Sequence, residues 1–551
     1  MTSATLTRGG LPVRRAFRPA ARGAAGTGAM IRLVLRRNRV RLAAWFVVIV
    51  GLVAYVGSYY TTVFDSQQAL DDFAALSDTP SIRALTGLAA AAATLGGAVW
   101  TKIWMTCAVA LALGVAFLVT RNGRAEEELG RTELLRSRAL GIHAQSFATY
   151  LVLAVVCLAS GAGVALVSMA NGLDPDGAGV VGSVVFGASV AGVGLVAIGV
   201  AAVAGQLAST ARGANMLASV VIGGFYVLRM MGDLGDGTLT WLSPIGWGEK
   251  MEPWSANSWW PFALLVGFAA VLLAVATRLE ARRDLASGLL PDRPGPSDAA
   301  AQLASPLGLA LRLQRGAILA WTLTVVLASL LFGSVVEAMT DLVDDAGGDV
   351  DVLIGGSGVE ALVSLLVMLV ALIVAVFALQ STMTLRADEA TGILEPQLAG
   401  ALSRTRWALE RLLVPAVGSA VLLLLGGAAM GAGYGSLVGD SGQTWVLAGA
   451  ALAYWPAVML LVGIAVALFG WLPRVAIPVT WSLLGLMWLL VLVGDALNLP
   501  DWVLDGMPFS ATPYQPLESM DAAPLVVLAA LAAAGVALGL ARFARRDLRT
   551  G

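Results

Sequence analysis

The sequence predicts an all-α polytopic membrane protein of about twelve transmembrane helices, arranged as two parallel six-helix repeats. Three observations carry this. Of the 551 residues 58% are hydrophobic and only 13% charged, whereas an ordinary soluble domain carries roughly 25% charged residues. Apolar runs of about 20 residues, the length that crosses a hydrocarbon core of ~30 Å, recur along nearly the whole chain. Several charged motifs also occur twice, at nearly constant separation.

Residues 1–30 read as a basic, disordered cytoplasmic tail. Ten arginines fall before residue 42, and the first acid is Asp65. The apolar run that follows has no small-residue cleavage site, so the segment does not read as a secretory signal. Arginines at about 1 kcal/mol each near an anionic surface suffice to explain it. The spans are expected near 42–60, 97–120, 146–170, 180–204, 214–231, 259–277, 317–336, 359–384, 407–434, 443–470, 476–494 and 523–541. They form a first six-helix domain over 31–288 and a second over 306–551. Between them, 289–305 holds Pro291, Pro294 and Pro296 among small polar residues and reads as a flexible cytoplasmic linker.

Basic residues resist translocation while acids have little influence, so charge sets the orientation. With both termini cytoplasmic, only Arg83, Lys102, Arg229 and Lys250 of the 35 Lys and Arg fall outside. Most acids take the other side, including Asp341, Asp344, Asp345, Asp349 and Asp351. The expected location is the bacterial inner membrane. Cys107 and Cys157 both lie in spans and read as small buried apolar groups rather than a disulfide. The lone His143 reads as a satisfied interfacial residue, with no partner for a metal cluster or a serine triad. No metal, cofactor or nucleic acid is expected in this chain.

The repeats are specific. Leu33, Leu35, Arg36, Arg39, Ala44 and Trp45 recur 276 residues on as Leu309, Leu311, Arg312, Arg315, Ala320 and Trp321. Arg124, Ala125, Glu126, Glu127, Gly130 and Glu133 recur 262 residues on as Arg386, Ala387, Asp388, Glu389, Gly392 and Glu395. Arg212 and Arg474 keep that separation and are candidate secondary cytoplasmic contacts. Each half ends on A-R-R-D-L-x-x-G, at Ala281–Gly288 and Ala544–Gly551. Matched pairs fall on one side of the membrane, so the halves run parallel and can enclose a central pathway.

The loop after the second span, R-N-G-R-A-E-E-E-L-G-R-T-E-L-L-R-S-R, mixes both charge signs with Leu129, Leu134 and Leu135. This suits a short helix along the cytoplasmic interface. Glu126, Glu127, Glu128 and Glu133 are unusual on that side, and a basic partner surface would explain them. The alternative is a solvated helix whose pairs, such as Glu127 with Arg131, contribute only about 0.2–0.5 kcal/mol each. Recurrence at Arg386 to Glu395 favours the partner surface.

The E-E-x-x-G-R-x-E-L-L pattern resembles the coupling segment of type-2 ABC exporter permeases, E-x-x-x-G-[TR]-x-E-x-L. The fused twelve-span layout resembles actinobacterial permeases for polyketide-antibiotic (tetronasin-type) and multidrug export, over essentially the whole chain. The second copy departs from the pattern, with Ile393 for the basic or hydroxyl residue and Pro396 and Gln397 for the leucine pair. The resemblance implies that Glu126, Glu127, Glu128, Gly130 and Glu133, and more weakly Asp388, Glu389, Gly392 and Glu395, dock ATP-binding subunits. It also implies an ATP-driven exporter of amphipathic or lipophilic drugs.

The motor itself is not in the chain. A P-loop needs G-x-x-x-x-G-K-[ST], and the only lysines, Lys102 and Lys250, sit in T-K-I and E-K-M. ATP and Mg²⁺ therefore belong to a partner subunit, expected in two copies, and the chain is a permease rather than an enzyme.

At the outer face, W-L-S-P-I-G-W-G-E-K-M-E-P-W-S-A-N-S-W-W suits short re-entrant helices. The resemblance implies a gate there, so Trp100, Lys102, Trp104, Trp247, Glu249, Lys250 and Trp254 form the candidate outer gate or cargo path. The alternative is an aromatic belt; the charges nearest the outer half, Lys102, Arg229, Glu249, Lys250 and Glu252, are expected by default to snorkel outward. Ionisable groups are otherwise sparse in the spans, which argues against the rival reading, a proton-coupled twelve-helix carrier. A lipid-modifying membrane enzyme, the second rival, would need clustered His or Asp at one interface.

Overall fold

The computed structural model describes residues 23–78, 82–83, 86–137, 140–175, 177, 179–284, 287–290, 298–300, 303, 305–345, 358–493 and 506–549. Most of the basic tail, the linker prolines, Asp349 and Asp351 lie outside the described residues, as do the side chains of Asp341, Asp344 and Asp345. The chain divides into two compact units, Met1–Pro294 and Gly295–Gly551. It is an all-helical polytopic membrane protein. Among the described residues eleven helices are long and apolar enough to cross a membrane.

In the first unit the order is α1 (Thr27–Val63), α2 (Gln67–Ser77), α3 (Leu95–Asn122), α4 (Arg124–Glu128), α5 (Arg131–Arg136), α6 (Ala144–Ala170), α7 (Val181–Leu207) and α8 (Ala211–Leu234). A 3₁₀ turn (Leu239–Leu242), α9 (Pro244–Glu249) and α10 (Trp260–Glu280) follow. At 37 residues, α1 is about 55 Å long, so it projects well past the hydrocarbon and begins inside the segment expected to be tail. Backbone bonds from Gly141 and His143 to the carbonyls of Ala25 and Gly23 tie its entry to the start of α6. Thr94 and Thr210 accept from the amides of Gly97 and Gly213 and so cap α3 and α8.

α3 and α7 are apolar all round, the pattern of a buried helix. They form the centre of the unit, with α1, α6, α8 and α10 packed around them. Lipid tails are as apolar as leucine, so close van der Waals contact holds such helices together. At the α6–α7 crossing a Cβ on Gly187 would sit 2.0 Å from the Gly161 carbonyl oxygen, and one on Gly161 would sit 2.4 Å from that of Gly187.

The second unit contains α11 (Pro306–Asp345), α12 (Gly358–Thr382), α13 (Thr384–Ala390), α14 (Leu394–Leu398), α15 (Arg404–Val438), α16 (Gln443–Ala453), α17 (Trp455–Trp471), α18 (Ala476–Val493) and α19 (Ala522–Arg545). α12 runs through its core, and α17 packs closely on α19. The span expected at 443–470 is one apolar stretch, Gln443–Trp471, with a single-residue turn at Tyr454. Pro456, in the first turn of α17, lacks the amide hydrogen that would continue the α16 ladder, and the Tyr454 ring stacks on Phe509 at 6.2 Å. α18, expected as a full span, has a shorter apolar stretch, Ala476–Leu490, among the described residues.

A methyl group at the α6–α7 crossing tests this packing. Gly187→Ala lowers the thermal unfolding midpoint of the purified protein, whereas Gly205→Ala on the same helix, where a Cβ meets nothing within 4 Å, leaves it level or raised, since Ala is the better helix former. Equal midpoints for the two variants contradict the packing argument.

Candidate functional site

The loop expected to be one helix is two, α4 and α5, turned at Gly130. Its φ of 68° is left-handed backbone that a side chain strains and glycine does not. α13 and α14 of the second unit turn in the same way at Gly392, φ 75°. The two glycines of the repeated motif therefore mark a shared backbone geometry.

Glu127 and Glu389 do not face outward. Glu127 lies between two guanidinium groups. Arg124 Nη1 donates to Oε2 at 2.9 Å, and Arg283 donates from Nη2 to Oε1 at 2.6 Å and from Nη1 to Oε2 at 2.8 Å. Arg124 also donates to the carbonyls of Ser209 and Ser287, and Arg283 to Gln206 Oε1. In the second unit Arg546 Nη2 and Arg386 Nη1 donate to Glu389 Oε2 at 2.9 and 3.3 Å, and Arg546 Nη1 donates to Oε1. Arg386 reaches the carbonyls of Pro473 and Arg549. The two motifs that recur in the sequence, R-A-[ED]-E and A-R-R-D, thus meet in one clamp in each unit. The clamp draws together the short-helix pair, the C-terminal end of α7 or α17 and the segment after α10 or α19.

The neighbouring acids differ. Glu126 is buried and pairs with Arg37 of α1 at 2.5 Å and Arg131 at 3.5 Å, whereas Asp388 pairs with Arg411 of α15. Glu128 accepts from the Ala211 amide at 2.6 Å, at the N-terminus of α8. Exposed groups of the first pair are Leu129 (61%), Glu133 and Leu134 (73%), and of the second Ile393 (52%) and Glu395. Gln397, which departs from the motif, accepts from Trp407 Nε1 at 3.0 Å. Arg212 and Arg474 are exposed next to the clamps. His143 Nδ1 lies 2.8 Å from Glu280 Oε2.

At the other end of the first unit, most of the predicted outer residues are built into its packing. Trp104 is fully buried, stacks on Trp100 at 4.6 Å and donates to Ser189 Oγ. Phe186 bridges Trp100 to Trp254, whose Nε1 donates to Asp174. Trp247 donates to the Trp241 carbonyl and meets Phe268 edge-on. Trp259 and Trp260 are exposed, as an aromatic belt requires. Lys102 is exposed, and Lys250 lies 3.7 Å from Glu252.

Arg229 and Glu249, expected to snorkel, are instead buried to 0% and 1%. Arg229 lies 3.2 Å from Asp233 and 3.4 Å from Glu249 and over the Tyr226 ring. Asp233 accepts from Thr240 Oγ1 at 2.8 Å, and Glu249 accepts from the Leu88 amide. Gly87, φ 103°, passes so close that a Cβ there would sit 2.6 Å from Glu249 Oε1. Arg229 joins α8 and Glu249 joins the α9 turn, so the pair forms only on folding. The signal available in the sequence was the i,i+4 spacing of Arg229 and Asp233 within an apolar helix. Burial raises the Glu249 carboxyl to about 7, against the pull of Arg229. Among the described residues no three His, Cys, Asp or Glu side chains could hold a metal ion.

Two outcomes follow. Arg283→Ala and Arg546→Ala each remove one of the two arginines from a buried carboxylate, and because the other remains each loses stability near the lower end of the about 3–5 kcal/mol for breaking a buried pair; denaturant unfolding of the purified chain measures it. For Glu249 the folded state holds its proton to higher pH than the unfolded chain does, so its contribution to stability falls as pH rises between about 5 and 8. The melting midpoint falls over that range, and Glu249→Gln flattens the slope.

A family model described as the multidrug efflux system permease Rv1217c, C-terminal domain, matches residues 28–278 and 303–544. The multidrug efflux system permease protein Rv1217c of Mycobacterium tuberculosis is 37% identical over 534 residues, covering 96% of this chain and 96% of that protein.

Proposed function

The chain belongs to the family of multidrug efflux permeases of the Rv1217c type, and from that premise we propose that it is the membrane-spanning subunit of an ATP-driven ABC exporter of the type-2, tetronasin-like kind. In this reading it lies in the bacterial cytoplasmic membrane with both termini inside and moves amphipathic or lipophilic compounds outward. Separate ATPase subunits, two per chain, bind ATP and Mg²⁺ and dock on the short-helix pairs.

The observation that carries the proposal is the form of those pairs. A docking element that transmits force needs rigid anchorage and an adhesive free face. The Glu127 and Glu389 clamps provide the anchorage, and Leu129, Glu133 and Leu134 with Ile393 and Glu395 provide the face. Apolar side chains ringed by acids match a basic-rimmed apolar cleft. The roles therefore divide within the motif. Glu126, Glu127, Asp388 and Glu389 position the pairs, and the exposed residues meet the partner. The fused repeat supplies two such faces from one chain. With no P-loop lysine in the sequence, hydrolysis falls to the partner.

The buried carboxylates Asp233 and Glu249 favour one second reading, a proton-coupled carrier. Reconstituted vesicles separate the two. Drug export that requires the ATPase subunit and internal ATP, and survives collapse of the pH gradient, supports the exporter; export by the chain alone, driven by a pH gradient, overturns it. In the exporter, Leu134→Asp with Glu133→Arg abolishes drug-stimulated ATPase activity while the melting midpoint stays near wild type, because neither side chain is buried. Undiminished stimulation removes the first pair as a docking site.

A further inference from the structure

Between α1, α3 and the start of α8 lies a groove of about 430 Å³, lined by Arg41, Trp45, Phe117, Thr120, Arg121 and Asn215 among others. We propose that it is a binding site for an acidic phospholipid with a hydroxylated headgroup, of the phosphatidylglycerol kind, drawn from the leaflet that borders the short helices.

Charge is the first argument. Four arginines converge near this end of α3, and Glu126 engages two of them, Arg37 and Arg131. Neither Arg41 nor Arg121 forms an ion pair among the described residues. Two guanidinium groups facing one groove without a counter-ion repel, and a phosphodiester accepted by both removes the repulsion while matching their planar donor geometry.

Buried polar atoms give an independent argument. Thr120 is only 2% exposed, and its Oγ1 has no hydrogen-bond partner among the described residues; Asn215 Oδ1 is buried and equally unpartnered. Such groups are costly unless something satisfies them. A phosphate oxygen accepts from the threonine hydroxyl. The asparagine oxygen is an acceptor and needs a donor, which a headgroup hydroxyl supplies and a bare phosphate diester does not.

Shape is consistent with a lipid. The Trp45 ring lies over Gly114, where a Cβ would sit 2.5 Å from it, so the glycine sets the depth of the groove. From Gly114 to Arg121 the floor rises along α3 by about 10 Å, from apolar to cationic. Phe117 is 44% exposed on that path. A headgroup on the two arginines therefore places an acyl chain along Trp45 and Phe117. This site is independent of any ATPase partner.

Native mass spectrometry of the full chain in detergent tests it, with phosphatidylglycerol, phosphatidylcholine and phosphatidylmethanol of identical acyl chains as probes. Phosphatidylglycerol is retained in preference to phosphatidylcholine. Arg41→Gln with Arg121→Gln lowers its retention roughly tenfold or more. Arg41→Lys with Arg121→Lys loses less than the glutamine pair, because the charge stays while the planar fork is lost, and Arg312→Gln with Arg315→Gln, an equal loss of charge in the second unit, keeps all of it. Equal retention of phosphatidylcholine, an unaffected Arg41/Arg121 double glutamine variant, or an equal loss in the Arg312/Arg315 variant overturns the site. Equal retention of phosphatidylmethanol, a phosphodiester with no headgroup hydroxyl, overturns the headgroup assignment, as does an Asn215→Leu variant that binds phosphatidylglycerol unchanged.

Discussion

A carboxylate held between two guanidinium groups organises one end of each unit. A charge at the edge of a membrane protein is costly unless it is paired and hydrogen-bonded, and Glu127 and Glu389 are both. Two arginines against one carboxylate leave a positive charge over, and backbone carbonyls absorb it. Arg124 reaches Ser209 just beyond α7, and Arg546 reaches Phe469 in the last turn of α17. Those are the ends at which a helix presents unsatisfied carbonyls and partial negative charge. The clamp therefore satisfies the arginines and the helix ends together. It also fixes α4 and α13, from which the chain continues through the glycine turns into α5 and α14, each seated by a buried residue, Thr132 and Leu394.

The clamps match, but what flanks them does not. Glu126 pairs with Arg37 on α1, and 276 residues further on, the separation of the first-helix repeat, stands Leu313 rather than an arginine. Asp388 therefore turns to Arg411 on α15, which in turn lies over Trp407 at 4.9 Å. The first short-helix pair is thus tied to the first helix of its unit, and the second pair to the helix that follows it. Combined with Ile393, Pro396 and Gln397 in place of basic and leucine residues, the two free faces differ in chemistry as well as in anchorage.

Helices and their approximate limits were legible in the sequence because apolar length is a strong signal and lipid allows little else. The breaks were less so. Pro456 marks the turn at Tyr454 only once its position within the span is weighed, and the turn at Gly130 is hidden in a charged stretch that reads as one helix. Motif recurrence singled out Arg124, Glu127, Arg283 and their counterparts, but not that they contact one another. A charged residue in a loop looks exposed until its partner is known, and the partner of Glu127 lies 156 residues away. Arg229 and Glu249 were misread for the same reason: snorkelling is the local default, and only long-range contact with Leu88 and α9 reverses it.

α8 shows what these polar ends accomplish together. Many of its side chains, among them Met216, Val220, Val227 and Met231, are exposed, so apolar burial holds it only lightly. Its ends are held instead by charge. Glu128 and Thr210 take its first amides, and Arg229 and Asp233 lock its last turns to Glu249. A 24-residue helix is a rod of about 36 Å, stiff along its axis. Held at α4 at one end and at the α9 turn at the other, it joins the short-helix pair to the buried Glu249 cluster, where Gly87 and the Leu88 amide stand against the carboxylate.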